Sequence, residues 1–332
     1  MPFDIVYGER ISLAIQEILY SRKFGTRILG NSLYSEESIV QALLNSKDRL
    51  FFAESGNISG WSFQEQRILG GISVVMKVQV FDDGTWYQPI PHNPPFEATL
   101  LFCPGPLLAR TDCWDYNFIV SNRNIKEENY RLVLEERILP LLLYVQETAE
   151  EPAIITIPGL GCGMFAGIFQ GWIDRLFIDT LRSILADNSE RLSKIALVYH
   201  YAFGPEDPEL RYEEDISNTM KFVQWRNGPP LLSAPEAIER TLSEAPLYKV
   251  VAWDHFSWPG NDFFANARQT DDGVSSAATS SMQELIPKPK DWEYRYVPER
   301  AKFLPYHQGR ERLWRQVAPE QLLIPERCLC LT

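Results

Sequence analysis

One stretch of the sequence, residues 152–187, places a strand, a glycine-rich turn and a helix in immediate succession. The apolar run PAIITIP (152–158) is typical of a buried strand, and the turn that follows has glycine at positions 159, 161, 163 and 167. The segment FQGWIDRLFIDTLRSILAD (169–187) repeats apolar residues at helical spacing. A strand that enters a helix through glycines predicts one unit of an alternating α/β chain with a ligand-binding turn.

The alternation of strands and helices extends along much of the chain. Further strands are predicted at 97–104, 194–200 and 249–255, and a helix at 125–147 that is interrupted or kinked at Pro140. Such a rhythm indicates the α/β class, with a mixed, mostly parallel sheet and helices on both faces. Ligands of such sheets bind at the carboxyl ends of the strands.

Composition shifts divide the chain into three predicted parts. A Pro-dense segment, PIPHNPP (89–95), separates a helical and β extension at 1–95, packed on the core, from the core itself at 96–290. Within the core, residues 204–243 are polar and poorly periodic, which indicates an insertion with one or two short helices. A C-terminal segment, 291–332, is expected to cover the core with a strand-like stretch and a short helix.

Bulk properties exclude several function classes. A net charge of -12 and a pI near 5.0 argue against nucleic-acid or anionic-membrane surfaces, which need basic stripes. The 332 residues contain five cysteines without framework spacing, and no run approaches the length of a membrane span. We therefore expect a cytoplasmic protein.

The glycine-rich turn, residues 159–167, has the composition of an anion cradle. Glycines let the backbone approach a ligand, and the N–H groups of such a loop bind phosphate. A P-loop does not fit, because no Lys-Ser or Lys-Thr pair follows Gly167. A dinucleotide fold fits poorly, since the next strand ends in His200 rather than in an acidic residue. A plain packing turn remains the alternative.

A second informative segment, 248–282, delivers carboxylates from three local settings. Asp254 follows the strand KVVAW, Asp262 lies in an aromatic, Gly- and Pro-containing loop, and Asp271 and Asp272 begin a helical pattern. Like charges that converge repel one another and raise one another's pKa unless a partner is present. The segment therefore predicts a site that receives something cationic or a proton.

Together, ITIPGLGCGMFAG (155–167), WDHFSWPGNDFF (253–264) and TDDGVSSAATSSM (270–282) resemble the macrodomain superfamily. Within it, the acidic segment resembles the divergent branch of ADP-ribosylhydrolases typified by the Legionella effector MavL. The resemblance covers roughly residues 97–290 and implies a three-layer α/β/α core with catalysis by Asp254, Asp262 and Asp272. If the protein is an effector of this kind, the expected location is a host cytosol. The acidic residues show no ligand spacing comparable to an EF-hand, so no metal is expected, and no cofactor is expected. The resemblance implies that ADP-ribose contacts Gly159, Leu160, Gly161, Cys162, Gly163, Met164, Phe165, Ala166, Asn261 and Asp271.

The expected substrate is a protein that carries a single ADP-ribose. No Gln-Glu-Glu element follows the Gly70-Gly71 pair, as poly(ADP-ribose) glycohydrolases would require. The resemblance favours arginine as the modified side chain and suggests ubiquitin as a target. Independently, a cluster of carboxylates complements a guanidinium, which keeps its charge and is held bidentately, whereas an ester-linked target presents no cation.

Simpler interpretations remain open for each residue. Asp272 could only cap a helix, Asp254 could pair with an arginine such as Arg268, and Asp262 could form a turn. His255, beside Asp254, is read as a structural residue. A binding module that reads ADP-ribose without cleaving it, and an inactive scaffold that grips a protein partner, are the competing functions.

Overall fold

The computed structural model describes residues 3–28, 30–46, 60–80, 95–201, 211–225, 242, 244–260, 270–277, 279, 292–297, 302–312 and 324–332. The α-helices in this part of the chain are α1 (Glu9–Ser21), α2 (Glu36–Leu44), α3 (Phe63–Gly71), α4 (Trp114–Ile119), α5 (Glu127–Thr148), α6 (Ile173–Asp187) and α7 (Asp271–Ala277). None of these helices is both long enough and apolar enough to cross a membrane.

The strands fall into one large sheet and two small ones. They are β1 (Asp4–Tyr7), β2 (Ser73–Val80), β3 (Phe96–Pro104), β4 (Val120–Ser121), β5 (Asn124–Ile125), β6 (Ala153–Pro158), β7 (Ile195–Tyr201), β8 (Arg211–Asp215), β9 (Lys221–Trp225), β10 (Leu247–Trp253), β11 (Trp292–Val297), β12 (Lys302–His307), β13 (Arg310–Glu311) and β14 (Arg327–Cys330).

The large sheet has nine strands in the order β14-β1-β2-β3-β10-β6-β7-β9-β8. Its centre is parallel, since β3, β10, β6, β7 and β9 all run in one direction. Antiparallel pairs join β1 to β2, β2 to β3 and β9 to β8. The carboxyl ends of β3, β10 and β6 therefore lie side by side at one edge.

Helices cover both faces of this sheet. Residues of α1, α2 and α3 share one buried cluster with Val251 of β10, whereas residues of α5 and α6 share a second cluster with Val250 of the same strand. Neighbouring residues of a strand point to opposite faces, so one central strand supplies both cores. This arrangement confirms the predicted three-layer α/β class with a mixed, mostly parallel sheet.

Local sequence accounts for where several helices begin. Ser35 caps α2, because its hydroxyl accepts the N–H of Ser38. Ser62 and Glu65 form a second capping box at the start of α3. Helix α5 is continuous from Glu127 to Thr148 with Pro140 inside it.

The prediction of short helices for the insertion at 204–243 is wrong for residues 211–225. Part of the stretch expected to be a helical insertion forms β8 and β9 at the edge of the main sheet, with β9 parallel to β7. Strand β9 is buried on both faces, because Phe222 and Val223 belong to opposite apolar clusters. It therefore lacks the apolar–polar alternation that marks a half-buried strand. The C-terminal segment also joins the main sheet, since β14 pairs with β1 in parallel.

The N-terminal part of the chain is integrated into the core sheet. Strands β1 and β2 are two of its nine strands, and α1–α3 form one helical layer. Helix α3 ends at Gly71, and β2 begins two residues later at Ser73. The boundary segment 89–95 lies outside the described residues except for Pro95, so the domain limits stay a prediction.

Candidate functional site

Three loops meet at the carboxyl edge of the parallel strands. They are residues 105–113 after β3, the glycine loop 159–167 after β6, and residues 254–260 after β10, which we call the aspartate loop. The sheet order places β10 between β3 and β6. The two motifs singled out from the sequence therefore lie on neighbouring strands, at the end of the sheet where ligands bind.

The glycine loop is pinned against the loop after β3. A Cβ atom on Gly105 would lie 2.1 Å from the nitrogen of Gly161, and one on Gly161 would lie 2.8 Å from the carbonyl oxygen of Pro106. Gly161 also has a φ of +75°. Gly167, with a φ of +56°, approaches Ala109 in the same way, at 2.7 Å. These glycines are required for backbone packing and for left-handed backbone geometry.

Gly163 differs from its neighbours in the loop. Its φ is -85°, and a Cβ atom there would meet nothing within 4 Å. Among the described residues, no group accepts a hydrogen bond from the N–H of Gly163, Met164 or Phe165. Met164 is 87% exposed. The middle of the loop thus presents consecutive N–H donors beside open space, which is the arrangement that binds an anion.

The other residues of the glycine loop anchor the loop to the protein core. Leu160, Cys162 and Ala166 are buried in the cluster beneath α5 and α6, so only their backbone can face a ligand. The carbonyl of Phe165 accepts the N–H of Leu108 at 2.7 Å. The Phe165 ring stands at 85° to the ring of His255, 6.4 Å away between centroids. Phe165 therefore links the glycine loop to the aspartate loop.

Asp254 shapes the start of the aspartate loop. Its carboxylate accepts the N–H of Phe256 at 2.9 Å, and its carbonyl accepts both the N–H and the hydroxyl of Ser257, at 3.0 and 2.9 Å. This is a turn in which an aspartate side chain binds the backbone two residues on. The side chain is half-buried at the end of β10.

Asp272 holds the other end of the same loop. It is buried, and its Oδ1 accepts the N–H of Gly260 at 2.8 Å. It does not cap α7, because the hydroxyl of Thr270 accepts the N–H of Gly273 at 3.0 Å and fills that role. Asp254 and Asp272 thus bind the two ends of one short loop at the carboxyl end of β10.

Asp271 is engaged on both oxygens. Oδ1 lies 2.6 Å from the ammonium of Lys249, and Oδ2 accepts the N–H of Ala252 at 2.8 Å. Lys249 is only 2% exposed in a central strand. The ADP-ribose contact predicted for Asp271 is untested, but this carboxylate already has a cation and a backbone donor. Asn261, Asp262 and Arg268 lie outside the described residues.

A second buried ion pair supports the loop after β3. Arg137 of α5 binds Asp115 at 2.5 Å, with the side chains 1% and 5% exposed. The other oxygen of Asp115 accepts the N–H of Leu107 at 2.7 Å, and the guanidinium reaches the carbonyl of Pro104 at 3.4 Å. Sequence reasoning missed both pairs. Their only signal was a charged residue inside an apolar run, as at Arg137 and Lys249.

Three buried cysteine thiols lie near the carboxyl edge of the sheet. Burial raises the pKa of the Cys103 and Cys113 thiols to about 12, and it raises the pKa of Cys162 in the glycine loop as well. These thiols are therefore protonated at neutral pH and are poor nucleophiles. The described residues contain no cluster of three or more His, Cys, Asp or Glu side chains placed to hold a metal ion.

The three layers, the mostly parallel sheet and the glycine loop at its carboxyl edge define a macrodomain-type α/β protein. The comparison with known families agrees, since residues 16–306 match the family described as macrodomain effector MavL. The chain belongs to that family, and its role is related to ADP-ribose. No match was found among curated proteins.

Proposed function

We propose that this protein is an ADP-ribosylhydrolase that removes a single ADP-ribose from a modified protein side chain, with arginine as the preferred target. The observation that carries the proposal is that Asp254, directly after β10, and Asp272, in the first turn of α7, bind the two ends of the aspartate loop. This loop follows the strand next to the one that carries the glycine loop. A diphosphate held by the N–H groups of the glycine loop brings the distal ribose towards the carboxylates.

The glycine loop provides binding in this proposal. The free N–H groups of Gly163, Met164 and Phe165 complement the oxygens of a diphosphate. Because Gly105 and Gly167 lock the loop against the loop after β3, these donors are fixed before the ligand arrives. A preorganised cradle loses little conformational entropy on binding.

The aspartates provide the chemistry. In the proposed reaction, the oxygen of water bonds to the anomeric carbon, the bond from that carbon to the arginine nitrogen breaks, and the nitrogen takes up a proton. The transition state carries positive charge on the ribose, which carboxylates stabilise. One carboxylate of Asp254, Asp262 and Asp272 orients or deprotonates the water, and the others hold the guanidinium.

Two protein preparations test the linkage. One carries ADP-ribose on arginine and the other on glutamate, each with a radioactive label in the ADP-ribose. We expect release from the arginine-modified protein only, because a guanidinium complements the carboxylates and an ester does not. Release only from the glutamate-modified protein would refute the arginine assignment.

A binding module that reads ADP-ribose is the second candidate. It is favoured by one observation: Asp254, Asp271 and Asp272 all accept backbone N–H groups, so a structural role could explain them without catalysis. A reader predicts tight binding of ADP-ribose with no turnover on any linkage. The same labelled preparations, combined with calorimetry, separate the two candidates.

The proposed setting and partners follow from the same arguments. We propose a reducing, cytosolic compartment, which is consistent with five cysteines that form no disulfide. The proposed partner is an ADP-ribosylated protein, with ubiquitin as a first target to test. Modified ubiquitin, offered beside an unrelated arginine-modified protein, shows whether the enzyme selects the carrier.

A further inference from the structure

We propose that the buried ion pair Lys249–Asp271 is a positioning device that holds the first turn of α7, and through it Asp272, at the reaction site. The inference rests on the proposed function, because it assigns Asp272 to the chemistry. Neither Lys249 nor Asp271 is required to touch the substrate.

The first step of the argument is the divergence of two strands. β10 stays paired with β3 as far as Trp253, but its pairing with β6 ends where Lys249 faces Thr156. Beyond that point the two strands that carry the glycine loop and the aspartate loop are no longer joined by strand pairing. A crevice between diverging parallel strands is where α/β sheets bind ligands.

The second step is what Asp271 does at that divergence. The N–H of Ala252 donates to Asp271 Oδ2 at 2.8 Å, three residues beyond the last residue of β10 that pairs with β6. A buried backbone N–H group without an acceptor destabilises the fold. The Asp271 carboxylate supplies an acceptor to the N–H of Ala252, where β10 no longer pairs with β6. The start of α7 is thereby fastened to β10 one residue before that strand ends.

The third step concerns Lys249. On β10 it alternates with Leu247 and Val251, which belong to the apolar cluster shared with α1–α3. An ammonium buried in such a layer requires a counter-charge, and Asp271 Oδ1 supplies it at 2.6 Å. Conversely, the ammonium of Lys249 supplies the counter-charge for the carboxylate of Asp271, whose side chain is 13% exposed. Each member of the pair keeps the other in place.

The fourth step connects the pair to Asp272. Consecutive residues bind the two sides of the aspartate loop: Asp271 binds Ala252 before the loop, and Asp272 binds Gly260 at its end. Movement of the first turn of α7 therefore displaces the Asp272 carboxylate directly. Displacements of about 1 Å at a catalytic group lower rates by about a hundredfold.

Three variants test the pair, with turnover of an arginine-modified protein and calorimetric binding of ADP-ribose as readouts. Lys249→Met leaves a buried carboxylate without its cation, and Asp271→Asn sets an amide donor against the ammonium. For each we expect kcat to fall by about tenfold or more, with KM and the Kd for ADP-ribose changed by less than about threefold. A general loss of folded protein would instead lower the binding stoichiometry.

The double variant Lys249→Met/Asp271→Asn supplies the rescue. It removes both charges, while the amide oxygen introduced at position 271 can still accept the N–H of Ala252. Replacing both members of a buried pair is far milder than replacing one. We expect kcat to return to within about threefold of wild type. If Lys249→Met fails to fold, the kcat of Asp271→Asn is compared with the kcat of the double variant instead. This comparison tests the same rescue.

Asp4→Asn is the matched control. Asp4 is another buried carboxylate paired with an arginine, Arg327, but it lies on β1, away from the aspartate loop. We expect lower stability with unchanged kcat and Kd. An unchanged kcat in Lys249→Met, or a double variant as slow as the single ones, overturns the positioning role. Absence of turnover in the wild type refutes the proposed hydrolase and, with it, the catalytic purpose of the pair.

Discussion

Gly161 and Gly163 provide a matched pair of positions for testing the cradle. A side chain at Gly163 meets nothing within 4 Å in the ligand-free protein, and its φ is -85°. We therefore expect Gly163→Val to leave the free energy of unfolding within about 1 kcal/mol of wild type. If the diphosphate occupies the open space beside Gly163, the new side chain clashes with it and ADP-ribose affinity falls by about tenfold or more, which corresponds to about 1.4 kcal/mol.

Gly161→Val, in contrast, should mainly lower the free energy of unfolding. Its φ of +75° is strained for any side chain, and its Cβ would lie 2.8 Å from the Pro106 carbonyl oxygen. The left-handed backbone alone costs about 1–3 kcal/mol. A loss of that size lowers the melting temperature by several degrees, roughly 2–4 °C per kcal/mol for a chain above 150 residues.

The assay is calorimetric titration of both variants with free ADP-ribose, together with thermal unfolding followed by circular dichroism. The expected result is that Gly163→Val is stable but binds weakly, whereas Gly161→Val is destabilised. If Gly163→Val binds ADP-ribose as tightly as wild type, the open space beside it does not hold the diphosphate. The glycine loop would then be a packing turn, and binding would have to involve other groups.

Two further outcomes are expected. Asp272→Asn keeps an acceptor for the Gly260 N–H but removes the negative charge. We expect turnover assays to show a kcat lower by about a hundredfold. Calorimetry should show a Kd for ADP-ribose that changes by less than about threefold. Burial lowers the pKa of His200 to about 4, compared with about 6.5 in the unfolded chain. As the pH falls, the unfolded chain therefore binds the proton first. The free energy of unfolding should fall by up to about 3 kcal/mol between pH 6.5 and pH 4. Denaturant unfolding across this range should show a smaller loss for His200→Asn, which retains a donor to the Ile157 carbonyl.

The central α/β units were predictable from the sequence because their signals are local. The run at 152–158 forms β6, the glycine loop follows it, and the amphipathic stretch contains α6. Each of these elements is specified by the period of its own apolar residues. The placement of the two motifs at one edge followed from the parallel sheet alone, since parallel strands end on the same side.

The parts that escaped prediction depend on distant pairing. Strand β14 lies beside β1, where Arg327 binds Asp4 across almost the whole chain. Nothing in a four-residue strand specifies so remote a partner. The two glycines tested above show the same limit, because the sequence does not tell a glycine needed for packing from one that leaves space open. That distinction depends on the loop after β3, which the glycine loop meets only in the folded protein.

The N-terminal helical layer contributes to the site as well as to the core. Trp61 stacks on Phe256 of the aspartate loop, with ring centroids 5.4 Å apart, and a Cβ on Gly70 would lie 2.6 Å from the Arg137 guanidinium. Arg137 in turn holds Asp115, and Asp115 holds the loop on which the glycine loop rests. The geometry of the cradle is therefore set partly by residues outside both recognised motifs. Within a family that shares this core, substitutions in that layer would alter binding and turnover without touching the ligand.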